Sequence, residues 1–288
     1  MFTQIQKQAN MQGIAASAVA TTKIPSAGTL YALYFRCLAA DGVTSLTVAQ
    51  IKAAIGNIII RIDGEQIMEA TATFFLALQK YYGDSIVAGN VNGVLPIYFA
   101  QPTFATFPER SLFAIGMKNI GAFTVDMNIL STAVLSSIQV FAEVTAESRN
   151  VGQHVRIYKH PQTFATTGDQ EINSLPKSEI TAAYKALHIE TGSDTGGIDR
   201  VTVKVGGNAV FDQVDSVLNG VLLSRDMRTT QSGFYHVDFC RSRDLTGMIP
   251  MAGLQDWRQI ITWNSAAAPS NYNIYSEQIW GLNVAASK

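Results

Sequence analysis

The stretch IIIRIDGEQIM, Ile58 to Met68, is followed at a distance of 143 residues by VTVKVGGNAVF, Val201 to Phe211. Each reads as a strand of period two, carried by Ile58, Ile60 and Ile62 in one and by Val201, Val203 and Val205 in the other. Each runs into a tight turn, Asp63-Gly64 or Gly206-Gly207, built from residues that tolerate the positive φ of a two-residue hairpin. The surroundings recur in the same order. GTLYALYFRCLAA precedes the first copy and ITAAYKALHIE the second, with Tyr184 in the place of Tyr31. NGVLPIYF, ending at Phe99, answers to SGFYHVDF, ending at Phe239, at an offset of 140; IQVFAE answers to YNIYSE, Glu143 to Glu277, at 134. Offsets shrink because loops change length and strands do not. One β-rich unit is present twice.

After each glycine turn the period lengthens to that of a helix. Ile67, Thr71, Phe74, Leu78 and Tyr81 share a helical face bounded by Gly83, and Val210, Val214, Val217 or Leu218, Val221 and Leu222 share another. LTVAQIKAAIG, ending at Gly56, adds a short helical connection. Otherwise each unit offers about eight short strands with turn signals about every 8 to 12 residues, the pattern of a sandwich or barrel. The predicted fold class is all-β: two jelly-roll domains, each an eight-stranded β-sandwich, side by side, with one helix inserted between strands of each. The predicted divisions are an N-terminal arm (1–23), a first jelly roll (24–147), a connector (148–178), and a second jelly roll with a C-terminal tail (179–288).

Charged residues make up 15% of the chain, against roughly 25% in typical globular proteins. A surface so poor in charge suits a subunit whose outer faces meet other subunits. A net charge of −1 argues against a nucleic-acid binder, which carries a basic excess. Cys37 and Cys240 lie far apart without C-x-x-C spacing and read as small buried hydrophobes, with a single disulfide left open. ASAVA near the N-terminus resembles a signal-peptidase site, but Gln and Asn fill the place of the apolar core that should precede it. No run of 18 or more apolar residues exists to form a membrane-spanning helix.

Catalytic signatures are missing. His154, His160, His188 and His236 form no H-x-H or H-E-x-x-H pair, and His188 and His236 read as satisfied strand residues. There is no G-x-S-x-G, phosphate loop or dinucleotide fingerprint, so the reading is not an enzyme. The loop ETGSDTGGIDR holds Glu190, Asp194 and Asp199, a candidate set of calcium ligands against the plainer reading of a hairpin loop. Trp257, Trp263 and Trp280, with Tyr272 and Tyr275, favour core or interface packing over sugar stacking. Phe104 and Phe107, in the Pro-bounded loop PTFATFPER, are candidates for contact with a neighbouring subunit, folding back onto their own barrel being the alternative.

IGNIIIRIDGEQIMEAT with its following helix, RSLFAIGMKNIGAFTVDMNI, TTGDQEINSLPKS and IDRVTVKVGGNAVFD together resemble the major capsid protein of corticovirus-type, membrane-containing icosahedral phages, within the double jelly-roll lineage. That resemblance spans about residues 24 to 280. It implies a homotrimer whose six barrels form a nearly hexagonal tile over an internal lipid membrane. A different protein would stand at the five-fold vertices, and the subunit would be assembled in the host cytoplasm and housed in the virion. The competing reading is a secreted two-domain β protein that binds or hydrolyses carbohydrate.

Overall fold

The computed structural model describes residues 3–83, 93–101, 107–163, 168–177, 179–192, 197–214, 216–241, 245–254, 256–264 and 271–282. The chain divides into two units, Met1–Val155 and Arg156–Lys288. In the first, the elements are β1 (Gln4–Lys7), β2 (Ala18–Ile24), β3 (Thr29–Leu38), α1 (Val48–Ala54), β4 (Ile55–Ile62), β5 (Glu65–Thr71), α2 (Ala72–Tyr81), β6 (Val94–Tyr98), α3 (Phe107–Ser111), β7 (Ile115–Gly116), β8 (Phe123–Ile129) and β9 (Ser137–Thr145). They build one sheet of order β1-β9-β3-β6, with β7 added to β3, and a second of order β5-β4-β8-β2. Strict alternation fills the space between them. Phe123, Val125, Met127 and Ile129 of β8, and Ile138, Val140, Ala142 and Val144 of β9, are buried at every second position.

The boundary falls two residues into β10 (His154–Thr163), and the second unit continues with β11 (Gly168–Ile172), β12 (Ala182–Glu190), β13 (Ile198–Val205), β14 (Asn208–Val214), α4 (Ser216–Arg225), β15 (Phe234–Asp238), β16 (Ile249–Pro250), β17 (Trp257–Trp263) and β18 (Asn271–Trp280). Its sheets run β15-β12-β18-β10, with β16 on β12, and β14-β13-β17-β11. Adding nine to any strand of the first unit gives its counterpart in the second, in order and in pairing within the unit. Each helix that follows a hairpin, α2 or α4, stands at the same point. The core here is built around Trp257, which stacks on Tyr184 at 4.6 Å, with Leu187, Ile189, Val201, Val203, Ile261, Trp263 and Ile274 around it. Each such side chain contributes on the order of 1.5–3 kcal/mol by leaving water.

Three sequence expectations need correction. First, the predicted N-terminal arm, 1–23, supplies β1 and most of β2, and the predicted connector, 148–178, supplies β10 and β11. The duplicated segments thus run from Gln4 to Thr145 and from His154 to Trp280. Second, the helical faces begin too early in the sequence reading. Ile67 and Thr71 belong to β5, Val210 and Val214 to β14, and each helix starts only after its strand. A bulge explains the misreading. Opposite Ile60 and Arg61 stand Met68 and Gln66, so Ile67 is the extra residue, and Val210 is the extra residue opposite Val203 and Lys204. A bulge breaks the period of two and brings adjacent apolar residues to one side, as in a helix. Thr71 then ends β5 and caps α2, its Oγ accepting from the Phe74 amide at 3.1 Å. Third, Tyr184 does not stand where Tyr31 stands. Tyr31 is the bulged residue between Leu30 and Ala32 against β9, whereas Lys185 is bulged between Tyr184 and Ala186 against β18.

Candidate assembly surface and the buried polar cluster

The bulge at Lys185 directs an ammonium group onto the face of β12 opposite the aromatic core. There Lys185 Nζ meets Glu277 Oε1 at 2.6 Å, and both side chains are almost wholly buried. The other carboxylate oxygen, Oε2, lies 3.5 Å from His188 Nε2. His188 and His236 are directly opposed across β12 and β15, with their Nδ1 atoms 2.7 Å apart. Only one of those nitrogens can carry the shared proton. If His188 turns its Nε2–H toward Glu277, its Nδ1 accepts and His236 Nδ1–H donates. Asn219 of α4 donates to the His236 carbonyl at 2.9 Å, and Arg228 Nε donates to Asp238, two residues further along β15, at 3.2 Å.

Burial alone would raise the Glu277 carboxyl, but the Lys185 ammonium and the His188 side chain outweigh it and hold the group well below the ordinary carboxylate range. Burial, with the adjacent His188, lowers His236 well below a normal imidazole. Tyr34 and Glu143 occupy the positions in unit 1 that His188 and Glu277 hold in unit 2, and Tyr34 Oη donates to Glu143 at 2.7 Å. The same register therefore hosts a tyrosine–carboxylate hydrogen bond in one copy and an ion pair with two imidazoles in the other. Sequence could not bring this cluster together, because the residues that touch across it are 48 to 92 positions apart. The one available signal was the Glu143–Glu277 correspondence.

The other sequence candidates scatter. Glu190 Oε2 accepts from Asn273 Nδ2 at 2.8 Å and from Tyr275 Oη at 2.9 Å, so its carboxylate already serves the β12–β18 pair. Asp199 is exposed on β13, and Asp194 lies outside the described residues. Among the described residues no three His, Cys, Asp or Glu side chains gather to hold a metal. Phe104 also lies outside the described residues, and Phe107 opens α3. Trp257, Trp263, Tyr272 and Tyr275 are buried, which removes them from any sugar-stacking surface. Cys37 and Cys240 are free and buried, and burial pushes both thiols up to about 12.

The hairpin turns carry positive φ at both central residues, +50° and +85° at Asp63 and Gly64, +56° and +82° at Gly206 and Gly207. A Cβ at Gly64 or Gly207 would meet no atom within 4 Å. Gly64→Val or Gly207→Val should therefore cost only the left-handed backbone penalty, about 1–2 kcal/mol, read as a lower urea midpoint with the fold retained. A loss of soluble folded protein would show that these turns do more than reverse the chain.

The described surface is most apolar where β14 meets α4. Val210, Val214, Val217, Leu218 and Val221 are all exposed, Val217 at 69%. The matching elements of unit 1 are covered: Phe74, Phe75, Leu76 and Leu78 of α2 are buried. An apolar cluster of this kind on a folded chain marks a place where something else packs.

Comparison with known proteins agrees with this division. Residues 5–145 match the family model for the viral coat protein P2 N-terminal domain, and residues 155–281 that for the P2 C-terminal domain. Among solved structures, the major capsid protein P2 of bacteriophage PM2 superposes with a TM-score of 0.81 at 17% identity, over 97% of each chain. The STIV major capsid protein gives 0.68 at 10% identity, over 98% of this chain and 97% of that one. The PBCV-1 virus capsid gives 0.61 at 10%, over 97% and 96%. No curated protein matches by sequence.

Proposed function

The chain belongs to the viral coat protein P2 family and is a major capsid subunit, and from that premise we propose that it works as a homotrimer imitating a hexagon. The observation that carries the proposal is the strand-for-strand duplication. Three copies of a chain with two equivalent sandwiches supply six similar lobes around a threefold axis. Hexagonal tiles pack into a lattice through repeated side contacts. The low charge of the chain and the apolar β14–α4 surface suit large obligate interfaces, which resemble a domain core cut in half.

In this reading the trimers pave an icosahedral shell over an internal lipid membrane, with a separate protein closing the five-fold vertices. The work is assembly, driven by buried apolar area. Nothing in the site described favours carbohydrate binding, since Trp257, Trp263, Tyr272 and Tyr275 are buried and the half-buried Trp280 carries the Arg156 guanidinium over its ring at 3.9 Å. Light scattering on the purified full chain tests the proposal. The expected particle has three times the 31.2 kDa monomer mass, stable to dilution; a monomer would refute it.

A further inference from the structure

The duplication leaves two strand edges unfinished. Among the described residues, β1 is bonded on one edge only, by β9, and β14 on one edge only, by β13. Their counterparts, β10 and β5, are more deeply buried. All four residues of β1 are exposed, whereas β10 begins with four buried residues. The bulged Ile67 of β5 is 1% exposed, and its counterpart in β14, Val210, is 47% exposed. Thr71 is half-buried, and its counterpart Val214 is exposed. An apolar bare edge such as β14 is a template for pairing with another strand, and proteins that keep one generally cover it.

We infer that β1 of one subunit pairs with the free edge of β14 in the next, and that the same neighbour covers Val217, Leu218 and Val221 of α4. The inference rests on the homotrimer reading and says how the ring closes. Each of the two edges belongs to a strand whose counterpart is buried in the other copy of the repeat. One chain carries both exposed strands, so a second copy supplies each with a partner. Ile5, exposed at 67%, is the apolar side chain that β1 brings to the junction. Pairing by strand addition also fixes geometry, because main-chain hydrogen bonds set the register between neighbours.

Disulfide trapping tests this in the assembled full chain. Adjacent strands bring opposed residues within the distance a disulfide can span. Gln4→Cys, Ile5→Cys or Gln6→Cys, each combined with Val210→Cys, samples the possible registers, and Cys37 and Cys240 are buried and out of reach. Under mild oxidation at least one pair should shift the denatured protein from the monomer band to bands at two and three times 31.2 kDa. Single variants, and Val43→Cys with Val210→Cys, should stay at the monomer band apart from symmetric dimers. A trimer by light scattering that yields no such ladder in any register overturns the junction and leaves the trimer standing, with the β14–α4 face then serving contacts between tiles or with a different protein. A monomer overturns both.

Discussion

Glu277→Gln should destabilise the second unit by about 3–5 kcal/mol, more than any surface change in the chain, because it strands a buried cation. Lys185 and Glu277 are nearly inaccessible to water and meet at 2.6 Å. Removing the carboxylate charge leaves the Lys185 ammonium desolvated with nothing to balance it. The substituted amide could still accept from His188, so the loss would report the ion pair and not the whole cluster. Lys185→Met combined with Glu277→Gln should recover most of the deficit, since replacing both charges removes the desolvation cost along with the attraction. Urea unfolding of the two variants distinguishes these outcomes. A single variant within about 0.5 kcal/mol of the parent would mean that the pair is solvated in the protein as it exists.

Acid should weaken the same unit in two stages. His236 has a folded pKa below its unfolded value of about 6.5, so the neutral ring is the form that folding favours. Its contribution is present above pH 6.5 and is lost as pH falls from there through the folded value, because the unfolded chain binds a proton that the folded chain resists. One proton sets a slope of up to about 1.4 kcal/mol per pH unit. The Glu277 carboxyl is also depressed, so its stabilisation is present above about pH 4.5 and is lost below it, a separate and lower window. Lys185 and His188 face Glu277, His188 faces His236, Asn219 of α4 holds the His236 carbonyl, and Arg228 is occupied by Asp238 further along β15. Urea midpoints taken from about pH 7.5 to 5 should fall, and His236→Gln should flatten that fall. Equal midpoints at both ends would remove His236 from the account.

How much of this was legible follows from where the apolar side chains lie. β4 and β13 were readable because Ile58, Ile60 and Ile62, and Val201, Val203 and Val205, alternate cleanly before a glycine turn. β5 and β14 were misread as helix because a bulge at Ile67 and at Val210 broke that alternation. β1, β2 and β11 left little trace, since edge and near-edge strands carry Gln, Thr, Lys and Asp on faces that water or a partner covers. The buried cluster was out of reach for a different reason. Its residues become neighbours only once β15, β12 and β18 pair, and no local pattern encodes that.

One repeat, used twice, explains both the fold and the surface left uncovered. In unit 1 the hairpin and helix are closed over, and in unit 2 the same elements stay apolar and exposed. The consequence for assembly is visible directly in electron micrographs of the purified protein. Class averages down the particle axis should show six lobes of similar size with threefold symmetry between alternate ones, at a mass of three chains. A two-lobed monomer, or a ring whose lobe count is not six, would contradict the claim that the doubled sandwich exists to let three chains do the work of six.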